Sequence, residues 1–271
     1  MRIAQLSDPH VTVRGVLSNG FVDTAAALRR AVTHLLALVP RPDAVLLTGD
    51  LVDSVQAAGY ARLLELLAPL PMPLYTIPGN HDDRTLLREA FAGRGFLPAT
   101  GQFLHYAVED FPLRLIGLDT QRPGETGGEL CAERLDWLAA RLAEAPRRPT
   151  LLFMHHPPFA TGLPTDRHGF PGAEALGALL ERHPQVRRIV CGHEHRAVQT
   201  LWHGVLASTC PATAHQLALD LEGGLEGVLR SRIALEPPAL QVHTWSEAHG
   251  LVSHTSPIGD FAVREFPRKA H

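Results

Sequence analysis

Five short stretches of this 271-residue chain carry side chains able to hold metal ions: Asp8-Pro9-His10, Gly49-Asp50, Gly79-Asn80-His81-Asp82, His155-His156 and Gly192-His193-Glu194-His195. Their donors are carboxylate, imidazole and amide oxygen, a set suited to Mn, Fe, Zn or Co ions and poorly matched to Cu(I). Asp8, His10, Asp50, Asn80, His155, His193 and His195 are too many ligands for one ion. If Asp50 bridges, these seven groups serve two ions with four protein ligands each. Two ions about 3.5–4 Å apart form a clamp for in-line displacement at phosphorus, with a bridging hydroxide as nucleophile. Taken singly, the pieces are ordinary, since Asp-x-His and His-x-His recur by chance and Gly-Asn-His-Asp reads as a turn. Their joint occurrence, each just after an apolar run, is what points to a site.

Those apolar runs have strand character, and longer helical patterns separate them. Strands are expected at 2–7, 44–49, 74–77, 103–108, 113–119, 150–154 and 187–191, and helices at 22–38, 55–68, 84–92, 131–144 and 172–182. In the first helix Ala27, Leu28, Ala31, Leu35 and Leu38 share a face, with Asp23 or Thr24 as N-cap. In an α/β sheet the carboxyl ends of the strands meet at one edge, so five distant segments can converge on one crevice. The glycines beside Asp50, Asn80 and His193 are expected to permit the sharp turns this needs. Beyond 197 the pattern turns to short strands (197–202, 205–208, 216–221, 240–245), predicting a second, more antiparallel sheet beside the first. Residues 1–221 are expected to form one domain. Residues 222–271, Gly/Glu-rich and then Pro-rich, read as an appendage or subunit contact. The Gly/Pro-rich loop 159–172, with Asp166, Arg167 and His168, is long enough for a rim or lid, or for a plain connection.

Composition removes several functional classes. Hydrophobic residues at 45% and charged residues at 20% make a globular balance. Lys269 is the only lysine, so neither a Schiff-base lysine nor a Walker-type phosphate-gripping lysine is at hand. A net charge of −3, with arginines clustered no more densely than pairs such as Arg29-Arg30, argues against duplex nucleic acid and anionic membrane as partners. Three widely spaced cysteines, Cys131, Cys191 and Cys210, support neither a disulfide framework nor a CxxC zinc site. The N-terminus enters directly at Arg2–Ser7 without a leader pattern, and no apolar run approaches a membrane span, so a cytoplasmic soluble protein is expected. No Gly-x-Ser-x-Gly elbow or catalytic-cysteine context suggests a covalent nucleophile.

Asp8-x-His10, Gly49-Asp50, Gly79-Asn80-His81-Asp82, His155 and Gly192-His193-x-His195 together resemble the calcineurin-like metallophosphoesterases, with every ligand position filled. Resemblance extends to Gly20–Asp23, Arg41–Ala44, Pro73–Tyr75, Phe153–Pro158 and Thr209–Gln216, and is to the class III cyclic nucleotide phosphodiesterase and glycerophosphodiesterase branch. It covers about residues 1–220 and implies an α/β fold, a four-layer αββα sandwich of two mixed sheets flanked by helices. By motif position, Asp8, His10, Asp50 and His195 would hold the first ion, and Asp50, Asn80, His155 and His193 the second. His81 would contact the phosphate or assist the leaving group, or act as an orienting neighbour. His156 would be the neighbour of the ligand His155, and Glu194 would point away from the metals. The implied reaction is hydrolysis of a small phosphodiester, with cyclic nucleotides and glycerophosphodiesters as substrate classes. Phosphomonoesters are the main alternative and a non-catalytic scaffold of the same fold the remote one. The C-terminal appendage resembles a dimerisation element, so a homo-oligomer is expected.

Overall fold

The computed structural model describes residues 1–221 and 232–265. Its strands are β1 (Arg2–Leu6), β2 (Ala44–Leu47), β3 (Leu74–Thr76), β4 (Tyr106–Val108), β5 (Arg114–Leu118), β6 (Thr150–Met154) and β7 (Val186–Cys191). After these come β8 (Gln199–Trp202), β9 (Val205–Thr209), β10 (Gln216–Leu217), β11 (Ile233–Ala234), β12 (Ala239–Ser246) and β13 (Gly250–Pro257). Helices α1 (Thr24–Ala37), α2 (Ala57–Leu67), α3 (Arg84–Phe91), α4 (Ala132–Glu144) and α5 (Ala173–Glu181) fall within the expected ranges. The cap of α1 is Asp23, whose carboxylate accepts from Ala26 N at 2.8 Å; Asp83 caps α3 the same way through Leu86 N at 2.9 Å. Each cap satisfies a backbone donor that the first helical turn leaves unpaired.

Two principal sheets form, with strand orders β13-β12-β1-β2-β3 and β4-β5-β6-β7-β9-β8. The period-2 alternation of side chains assigns each strand's residues to one of three cores. Ala4, Leu6, Val45 and Leu47 pack against α1–α3, whereas Ile3, Ala44 and Leu46 turn inward to meet Leu115, Leu151, Phe153 and Val190 of the second sheet. Ile116, Leu118, Leu152, Met154 and Ile189 face α4 and α5. The layers are therefore α, β, β, α. Space between the sheets is fully used: a Cβ at Gly117 would lie 2.7 Å from the Phe153 ring.

The strands after 197 do not build one separate antiparallel sheet. β9 joins β7 in parallel with β8 as its antiparallel edge partner, while β12 pairs antiparallel with β1, and β13 with β12. Residues 239–257, read from sequence as part of an appendage, thus complete the first sheet. The reason is burial: Leu240 enters the α1–α3 core, and Gln241 and His243 lie inside the sandwich. The Gly/Glu-rich stretch 222–231 and residues 266–271 lie outside the described residues. Because β1, β2 and β3 run parallel, as do β5, β6, β7 and β9, both sheets bring carboxyl ends to one edge. Gln5 pins them together beneath it, donating through Nε2 to Thr48 Oγ1 (3.0 Å) and to Cys191 O (2.9 Å).

Candidate metal centre

Backbone bonding continues past the strand ends and sets the candidate ligands. Asp8 N donates to Gly49 O (3.2 Å), His10 N to Asp50 O (3.0 Å) and Gly192 N to His155 O (2.9 Å). His193 N crosses to the Asp8 carboxylate at 3.1 Å, joining the loops of the two sheets. Asp8, His10, Asp50, His193 and His195 all have positive φ, between 42° and 71°, and only Asn19 and His203 share that state among the described non-glycine residues. Such conformations cost on the order of 1–3 kcal/mol each and persist only where the surroundings compel them. Backbone strain is therefore concentrated on the site.

The neighbouring glycines act in two ways. Gly49 has φ +87°, the turn expected from sequence. Gly79 and Gly192 do not; they are required for space. A Cβ at Gly79 would collide with Asp50 Oδ1 and Asp50 N, and one at Gly192 with Ser7 Oγ, Thr48 O and Asp8 Oδ2.

All seven expected ligands meet here, in two groups that share Asp50. In the first, His10 Nε2 and His195 Nε2 approach to 3.0 Å, His10 Nε2 lies 3.5 Å from Asp50 Oδ2, and His195 Nε2 lies 3.4 Å from Asp8 Oδ1. One donor atom from each of these four buried residues lies within 4.8 Å of all the others. In the second, His155 Nε2 lies 3.4 Å from Asp50 Oδ1 and 3.2 Å from Asn80 Oδ1, which is 3.1 Å from His193 Nδ1. The two carboxylate oxygens of Asp50 thus face different imidazole groups.

This donor set fits a pair of cations. His155 Nδ1 donates to Thr48 O (2.8 Å) and His195 Nδ1 to His215 O (3.0 Å), so in both rings Nε2 is left with its lone pair toward the cluster. The clustered imidazoles and carboxylates shift one another strongly. Burial works to deprotonate His155, yet Asp50 overrides it and raises the imidazole to about 9; burial beside His155 drives His193 to about 3. Despite burial, Asp50 is held well below the usual carboxylate range by His155 and then His10.

His81 stands beside the cluster. Its amide donates to Asp50 Oδ1 (2.8 Å), its Nδ1 bonds Asp53 O (2.9 Å), and its ring meets His10 edge-on at 4.6 Å between centroids. His156 has a ring nitrogen within the 4.8 Å group of His155 and His193, but its Nδ1 bonds Thr120 Oγ1 at 2.8 Å. Only His155 of the two faces Asp50. Asp82 ties the ligand loops together, accepting from Gly79 N (2.8 Å), Leu51 N (3.2 Å) and Tyr60 OH (3.0 Å). Burial, reinforced by Asp50, raises its carboxyl to about 7.

A crevice of about 510 Å³ opens over the cluster, and its wall includes Asn19, Asp53, Arg167, His168, His215 and Arg232. His215 escaped the reading of the sequence. It holds His195 through its carbonyl, its ring lies 4.8 Å from that of His195, and burial followed by His195 lowers its imidazole to about 4. The available signal was position: it follows β9, which runs parallel to β7 and ends at the same edge.

Comparison with known proteins agrees with this geometry. The model of the family described as calcineurin-like phosphoesterase matches residues 1–197. A probable glycerophosphodiester phosphodiesterase GpdQ of Arcobacter nitrofigilis is 38% identical over 263 residues, covering 96% of this chain and 94% of the relative. The 3',5'-cyclic adenosine monophosphate phosphodiesterase CpdA of Escherichia coli is 31% identical over 217 residues, 80% of this chain and 77% of that protein. Among solved structures, a dimetal phosphatase from Danio rerio shares the fold with a TM-score of 0.66 at 15% identity, covering 96% of this chain and 99% of its own. A strand-end cluster of Asp, His and Asn spread over both sheets, together with a family match across most of the length, establishes that the chain belongs to the calcineurin-like phosphoesterase family.

Proposed function

We propose that this chain hydrolyses small phosphodiesters at a two-metal centre, with Asp8, His10, Asp50 and His195 holding one ion and Asp50, Asn80, His155 and His193 the other. The observation that carries the reading is Asp50, whose Oδ2 faces His10 and whose Oδ1 faces His155. Ions bound there supply charge neutralisation of the phosphate and an activated water near neutral pH. Oxygen and nitrogen donors of this kind accept Mn, Fe, Zn or Co.

The chain's own residues do the rest. His155 and His195 are aimed by the carbonyls of Thr48 and His215. His81 has Nδ1 committed to Asp53 O, so Nε2 is the atom that remains to hold a phosphoryl oxygen or give a proton to the departing alcohol. The relatives named for glycerophosphodiester and cyclic AMP hydrolysis support diesters over monoesters. Free cysteines, two of them buried, support a reducing, cytoplasmic setting. No helix among the described residues is long and apolar enough to cross a membrane. The eight-residue β13 is an open sheet edge, which supports a homo-oligomer, and sedimentation of the full chain tests that part.

The deciding experiment compares turnover of bis(p-nitrophenyl) phosphate and p-nitrophenyl phosphate by chelated and Mn²⁺-reconstituted protein. A metal-dependent ratio well above one is expected, and Asp50→Ala should abolish it. A ratio well below one would make the protein a monoesterase with the same site; metal-dependent turnover surviving Asp50→Ala would sink the site assignment.

A further inference from the structure

Glu194 lies between two candidate ligands, yet its carboxylate turns away from the cluster. It is 1% exposed and accepts a hydrogen bond from Thr165 Oγ1. Thr165 belongs to the segment 161–168, which lines the crevice through Leu163, Pro164, Thr165, Arg167 and His168. The segment is folded on itself by Asp166, whose carboxylate accepts from Thr161 Oγ1 (2.7 Å), Thr161 N (3.0 Å) and Gly162 N (2.8 Å). It is therefore an ordered piece of wall fastened to the loop that carries His193 and His195.

Two arginines line the crevice among the described residues, and they differ. Arg232 pairs with Asp220 at 3.5 Å. Arg167 is exposed and has no hydrogen-bond or ion-pair partner among the described residues. A guanidinium without an acid partner, on a fastened segment beside a cleft, is matched to a carboxylate or phosphate arriving with the substrate. The scissile phosphate already has the metal ligands and His81 around it, and no bond joins Arg167 to any of those residues.

We infer that Arg167 is a specificity-determining residue that binds a second anionic group on the organic arm of the diester, and that the Thr165–Glu194 hydrogen bond holds it in place. The inference rests on the phosphodiesterase reading above. It selects, within that class, diesters carrying a further negative charge.

The test uses the full chain loaded with Mn²⁺ and two substrates that differ by one carboxylate, sn-glycero-3-phosphoserine and sn-glycero-3-phosphoethanolamine. Wild-type protein should show the lower KM for the serine ester. Arg167→Gln should raise that KM about tenfold, the loss of one charge-assisted contact, while the ethanolamine ester moves less than about threefold. Thr165→Val should change the ratio in the same direction, Thr165→Ser should restore it, and metal content should be equal in all four proteins. The inference is overturned if Arg167→Gln shifts both KM values alike or neither, or if Thr165→Val leaves the ratio of the wild type. Turnover of neither ester by metal-loaded wild type would instead overturn the phosphodiesterase reading, and this inference with it.

Discussion

Gly79→Ala offers a sharp test of how the centre is built. A methyl group there would meet the bridging residue itself: Asp50 Cγ would be 2.9 Å away and Oδ1 and the backbone N closer still, against 3.4 Å for ordinary contact. Neither partner can give cheaply. The Asp50 amide is backbone, and Oδ1 also accepts from His81 N at 2.8 Å. Restoring contact distance demands a displacement on the order of 1 Å, the size of misplacement that costs about a hundredfold in rate. Metal sites hold ligand distances to about 0.2 Å, so the shift should also empty one of the two positions. Overpacking of this kind destabilises by about 1–3 kcal/mol, too little to unfold a domain of this size outright. The assay is elemental analysis of reconstituted protein, with turnover of the phosphodiester and a denaturant midpoint. Expected are a folded protein, fewer than two ions per chain and about a hundredfold loss of activity. Gly93→Ala is the control, because a Cβ there meets nothing within 4 Å. A Gly79→Ala protein that keeps two ions and turnover within tenfold of wild type would refute the crowding argument.

Two further outcomes follow from the buried polar groups. His243 is driven down to about 3 by burial and then by Arg188 and His254, and it bonds Gln5 Oε1 (3.1 Å) and Ser253 Oγ (2.6 Å). Below pH 6.5 the unfolded chain takes up a proton that the native imidazole refuses until about pH 3, so stability falls across that window at up to about 1.4 kcal/mol per pH unit. Urea melts at pH 7 and pH 5 should show His243→Gln losing roughly 2 kcal/mol less than wild type, and equal losses would contradict the assignment. Metal removal provides the other check. Ions that bind only the folded centre add about 2.7 kcal/mol each at a hundredfold excess over Kd, so chelation should lower the melting temperature of wild type and leave Asp50→Ala nearly unmoved. Equal shifts in the two proteins would place the ions elsewhere.

Much of the frame is readable in one dimension because its causes are local. Helix α1 begins where Asp23 can cap it, and each of the five helices lies inside the range that its apolar periodicity marks. The metal-capable residues were visible for the same reason, since each follows a short apolar run. In the C-terminal third the strands are legible, but the sheets they join are not, because those causes are distant. β12 pairs with β1 at the register Ile3↔His243, and nothing within the stretch around His243 announces that partner. His215 was overlooked because its role comes from β9 lying beside β7, a fact of sheet order.

Residue type and spacing by themselves determined that the chain has an α/β core and that metal-capable oxygen and nitrogen donors stand at strand ends; the family resemblance singled out seven of them, enough for two ions if one is shared. Only the folded molecule decided that Asp50 turns one oxygen to His10 and the other to His155, that Gly79 and Gly192 are there for space, and that Glu194 reaches away to Thr165. The physical reason is range. Propensity, capping and periodicity act over a few residues, whereas which two loops touch, and which of their atoms face each other, is set by packing two sheets against a shared core.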